Sequence, residues 1–69
     1  MSAVQMYIYL RTHQEALLFW VTPHNGNGFI NAWDAYRTTE EPTSVKLNHR
    51  YGEAFFVASD IVGISLDDE

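Results

Sequence analysis

A chain of 69 residues carries nine acidic and four basic side chains, for a formal net charge of −5, and has no cysteine. That length allows a single domain over 1–69 and no second core. The missing thiols exclude disulfides, thiolate metal sites and cysteine nucleophiles, and the acidic balance argues against nucleic acid as a partner, because phosphate neutralisation supplies much of such binding.

Area scaling makes so small a domain marginal, with roughly 60% of its extended surface buried on folding. Domains of this size without disulfide or metal lean on a partner subunit, so a homo-oligomer, a dimer or higher, is expected. Residues 1–25 show no basic leader followed by an apolar run, and the longest unbroken apolar stretch, 16–21, is too short to cross a bilayer. A soluble, cytoplasmic protein is expected.

The first structural signal is "VQMYIYLR", then "THQE", then "ALLFWVTP". Two runs rich in β-branched and aromatic residues around four polar ones predict a β-hairpin. A turn centred on His13 and Gln14 pairs Met6 with Val21, Ile8 with Phe19 and Leu10 with Leu17 on one face. The other face pairs Tyr7 with Trp20 and Tyr9 with Leu18, so one side is aliphatic and the other aromatic.

"PHNGNGFINAW" follows, residues 23–33. Asn-Gly is a strong short turn signal, so the chain is expected to reverse between Pro23 and Phe29 on positive-φ glycines. The alternative is a loop that offers His24, Asn25 and Asn27 to a ligand, although "NGNG" matches neither a Walker loop nor a dinucleotide fingerprint. Phe29, Trp33 and Tyr36, with Ala32 and Ala35 alongside, then suit one short amphipathic helix. Asn31 would cap it, Asp34 would sit in its first turn, and Glu41-Pro42 would end it. A third strand over 29–37 is the competing reading and would make the chain all-β.

"SVKLNHR" and "EAFFVAS" flank Tyr51-Gly52 and predict a second hairpin, with glycine supplying a positive φ. In that register Arg50 opposes Glu53. Val45, Leu47 and His49 share a face with Ala54, Phe56 and Ala58, while Lys46, Asn48, Phe55 and Val57 share the other. Ser59-Asp60 interrupts before a last strand, "IVGISL", with Val62, Ile64 and Leu66 on one side. Residues 67–69 read as a short acidic tail. The sum is an α+β fold: a small curved antiparallel sheet or partial barrel of about five strands with one short helix, and a core including Ile8, Phe19, Leu47 and Phe56.

The segment "FFVASDIVGISL" resembles the closing strands of SH3-like barrels. The short, acidic, cysteine-free format is similar to that of phage-encoded inhibitors of bacterial defence, which implies a phage or mobile-element origin and an inhibitory role.

Catalytic chemistry is sparse. His13, His24 and His49 lack the spacing of metal ligands, and Ser59-Asp60 offers neither a nucleophile elbow nor a base. No enzyme, metal or cofactor is expected. Two readings of function remain. In the first, an interaction or inhibitor protein binds a larger protein through Tyr7, Tyr9, Trp20 and Phe55, with an acidic rim. In the alternative, an oligomer sequesters a nucleotide-like small molecule. There, His24, Asn25 and Asn27 line a loop, Trp20, Trp33 and tyrosines stack a base, and Arg11, Arg37, Lys46 or Arg50 meet phosphate.

Overall fold

The computed structural model describes residues 3–41 and 43–67. Its elements in chain order are β1 (Val4–Leu10), β2 (Leu17–Val21), α1 (Pro23–Thr39), β3 (Ser44–His49), β4 (Gly52–Val57), a 3-10 turn over Ala58–Asp60, and β5 (Ile61–Asp67). The strands form a three-stranded antiparallel sheet in the order β2-β1-β5 and a separate hairpin of β3 and β4. This is the expected α+β class, with the barrel left open. Asp67, expected to begin an acidic tail, ends β5 opposite Gln5; positions 68 and 69 lie outside the described residues.

Both hairpins keep the expected faces but shift register by two residues. In the first, Met6 pairs with Phe19 rather than Val21, and Tyr7 with Leu18 rather than Trp20. A one-residue slip would turn every side chain over; a two-residue slip leaves each on its face. The cause lies in β5. Tyr9 and Leu10 pair with Gly63 and Ile61, not with β2, and the Arg11 N–H donates to the Asp60 carbonyl at 2.8 Å. Strand β1 therefore outruns β2, and a six-residue loop over 11–16 replaces the tight turn.

In the second hairpin His49 pairs with Gly52, which leaves Arg50-Tyr51 as a two-residue turn. Gly52 takes the expected positive φ, at 138°. The Tyr51 N–H donates to His49 Nδ1 at 3.2 Å, and the Arg50 N–H donates to the Trp20 carbonyl at 2.9 Å. Those bonds draw Arg50 out of the ladder, so it does not oppose Glu53. Glu53 pairs with Asn48 and meets its diagonal neighbour Lys46 at 3.4 Å. Val62, expected beside Ile64 and Leu66, stands at the bulge opposite Tyr9 and Leu10 and is 57% exposed.

The helix is the largest correction. It runs 17 residues and starts directly after β2, so 23–28 is helix and not a turn. Thr22 is its N-cap: Oγ1 accepts from the Asn25 N–H at 3.2 Å, and Pro23 fills the first helical position, where a missing N–H costs nothing. Asn31 and Asp34 lie well inside the helix rather than at its start. Glu40 ends it at a φ of 65°, its N–H donating to the Tyr36 carbonyl at 2.6 Å. Gly26 is buried because the first turns press on the sheet: an added Cβ would stand 3.2 Å from Val21 and 3.3 Å from Leu66. Its glycine serves close packing, not a positive φ.

The core joins all three layers. Met6, Ile8 and Val21 from the three-stranded sheet, Phe29 from α1, and Val45 and Leu47 from β3 form one buried cluster. Ile8 and Leu47 are fully buried, as expected, but Phe19 and Phe56 are half-buried. Phe29, 2% exposed, is the aromatic ring at the centre. It meets Phe56 edge-on at 5.7 Å, and Phe56 in turn meets Phe19 at 5.8 Å. Phe19 sits on edge strand β2, where the open barrel leaves its ring partly accessible. Among the described residues no helix is long and apolar enough to cross a membrane.

Candidate functional site

The helix and the second hairpin pack on the side of the three-stranded sheet that carries Met6, Ile8 and Val21, and among the described elements none lies across its other side. Strand alternation puts Tyr7 and Tyr9 of β1 and Leu18 and Trp20 of β2 there. Tyr9 and Leu18 are 44% and 45% exposed, and Tyr7 and Trp20 are half-buried. Tyr7 directly opposes Leu18, and its hydroxyl donates to Gln5 Oε1 at 3.2 Å. Gly63 faces Tyr9 across the sheet, so the Tyr9 ring can lie on bare backbone. Asp67, opposite Gln5, places a carboxylate at one corner. Three of the four expected interaction residues thus share one surface, and Leu18 completes it.

Phe55 does not share that sheet. It stands 68% exposed on the outer side of β4, with Val57. The two sheets meet at the backbone hydrogen bond from the Arg50 N–H to the Trp20 carbonyl. A small cleft of about 210 Å³ opens there between Trp20, Asn25, Asn48 and Arg50, with the Arg50 guanidinium 5.8 Å from the Trp20 ring.

A larger cleft, about 420 Å³, lies between the second half of α1 and the chain around the 3-10 turn. Arg11, Trp33, Tyr36, Arg37 and Ser59 line it. The Arg37 guanidinium stands 4.9 Å from the Trp33 ring, one helical turn back. Arg11 is held by a side-chain hydrogen bond to the Ser59 carbonyl at 3.0 Å. Among the described residues, Lys46–Glu53 is the ion pair that forms; none of the three arginines has a carboxylate partner.

The residues expected to hold a nucleotide-like ligand do not converge on one site. Trp33 and Arg37 line the large cleft, and Asn25 and Arg50 the small one. His24 and Asn27 are exposed on the first turns of α1 and line neither. The Asn25 N–H is already taken by the Thr22 cap. Among the described residues no group of three His, Asp or Glu side chains gathers as a metal site. Tyr36 is the tyrosine that joins Trp33 in the large cleft, among those expected to stack a base without being told apart, and Ser59 is an addition. The helical spacing of Trp33, Tyr36 and Arg37 could have flagged the first; nothing local brings Ser59 to them. No family model, curated protein or solved structure matches the chain.

Proposed function

We propose that this protein is a non-enzymatic interaction module that inhibits or regulates a larger protein through the outer face of its three-stranded sheet. One observation carries the reading: Tyr7, Tyr9, Leu18 and Trp20 lie together on a face across which no other described element packs, with only the Arg50 side chain near Trp20 at its edge. Soluble monomers seldom leave aromatic and aliphatic side chains grouped in this way, whereas interface centres are enriched in them. The excess of acidic side chains, with Asp67 at the corner of the face, suits a basic partner surface and speeds its encounter. An inhibitory role agrees with the likeness in format to phage-encoded inhibitors, and such a role places the protein in the cytoplasm.

Native mass spectrometry of the tagged protein from its host cells tests the reading, with Leu18→Asp and Tyr9→Asp as face variants and Val57→Asp as a control on the other sheet. A defined complex with a basic protein, retained by Val57→Asp and lost in both face variants, is the expected result. If the face variants hold every complex that the wild type holds, this surface is not the interface. If the species lost is a homodimer, the occupant is a second copy of the chain and not a different protein.

A further inference from the structure

We infer that the cleft between α1 and the 3-10 turn is a binding site for a small phosphate-bearing ligand with a flat ring, of the nucleoside monophosphate type. It is a different surface from the sheet face and does not depend on it.

The charge distribution is the first argument. The whole chain has four basic side chains against nine acidic ones. Two of the four, Arg11 and Arg37, come from positions 26 residues apart in sequence, yet both line this one cleft. Neither makes an ion pair with a described carboxylate, although Asp34, Glu40 and Glu41 flank Arg37 in sequence and Asp60 lies beside Arg11. Two like charges facing one cavity repel each other unless an anion comes between them.

The second argument is orientation. The Ser59 carbonyl takes one N–H of Arg11, and the Arg37 guanidinium lies 4.9 Å from the Trp33 ring centroid. One donor of Arg11 is thus engaged and Arg37 is drawn toward the ring, while most of the five donors of each stay free for phosphate oxygens. Trp33 and Tyr36 are half-buried and packed against the core, so the cleft has firm aromatic walls. With Arg37 over the Trp33 ring, Tyr36 is the aromatic wall left to meet the face of a planar ring, whatever its substituents. A volume of about 420 Å³ falls within the usual range for small-ligand sites.

The test follows Trp33 fluorescence in a Trp20→Phe background and adds adenosine monophosphate, inorganic phosphate or adenosine, each in turn. Saturable binding of the monophosphate is expected, roughly tenfold or more tighter than either fragment alone, because the two contacts are linked. Arg11→Gln and Arg37→Gln should each weaken it by about tenfold or more, with melting temperatures close to the parent, since both side chains are exposed. Arg50→Gln, in the other cleft, should leave it unchanged. The assignment fails if the monophosphate shows no saturable binding at millimolar concentration, or if binding survives loss of both arginines. Equal affinity for inorganic phosphate and the monophosphate would overturn the part of the proposal that concerns the ring.

Discussion

Gly26 of the helix lies so close to Val21 of the sheet that a Cβ on it would approach Val21 Cγ2 to 3.2 Å. Two residues on, Gly28 has nothing within 4 Å of the same position. Two glycines in one motif therefore do opposite things. Gly26→Val should destabilise the fold by about 1–3 kcal/mol through overpacking. Gly28→Ala should stabilise it by about 0.5–1 kcal/mol, because glycine in a helix interior loses more backbone freedom on folding. Urea unfolding of the two variants reads both numbers. A destabilising Gly28→Ala would show that the segment turns as the Asn-Gly pairs suggest, instead of running as helix.

Phe29 should be the most sensitive aromatic position. It is fully enclosed, whereas Phe19 and Phe56 keep part of their surface in water. Phe29→Ala should cost roughly 3–5 kcal/mol, comparable with the whole stability that a core of this size supplies. That variant should be largely unfolded at 25 °C, while Phe19→Ala and Phe56→Ala lose less and keep a cooperative transition. Circular dichroism melts of all three decide the order. If Phe19→Ala is the more damaging, the centre of the core lies at β2 and not at the helix.

The uncovered sheet face makes a prediction about folding as well as binding. Leu18 and Tyr9 are nearly half exposed in the free chain, so each loses little on substitution. Leu18→Thr and Tyr9→Thr should change unfolding free energy by no more than about 0.5 kcal/mol, with threonine keeping the strand preference. A loss of about 2 kcal/mol or more, as for a buried leucine, would mean that the face is covered in the free protein. The same measurement at increasing protein concentration separates folding from assembly, since only an assembled face gains stability with concentration.

Much of this architecture can be read along the chain. Period-two alternation assigned Met6, Ile8 and Leu10 to one side and Tyr7 and Tyr9 to the other. That assignment holds although both hairpin registers differ by two residues. The spacing of Phe29, Trp33 and Tyr36 marked the helix, and Gly52 its own positive φ. These features survive because each depends on a repeat or a backbone preference within a few residues.

What sequence reading missed depends on distant partners. Thr22-Pro23 is a good helix start, but it competes locally with two Asn-Gly pairs, and packing against Val21, Leu66 and Met6 decides between them. The register of β1 is set by β5, more than fifty residues away, through the Tyr9–Gly63 pair and the bulge beside it. Arg11 and Arg37 carry no local sign of belonging together. They share a cleft because the 3-10 turn returns the chain to the end of β1, beside the second half of the helix. Composition and periodicity by themselves determined a small α+β domain and the side of β1 to β4 that meets water, because burial of apolar surface repeats with the backbone; the bulge at Val62 hid that of β5. Helix length, strand register and the gathering of the arginines came from tertiary structure alone, because each is settled by contacts between segments that have no pattern in common.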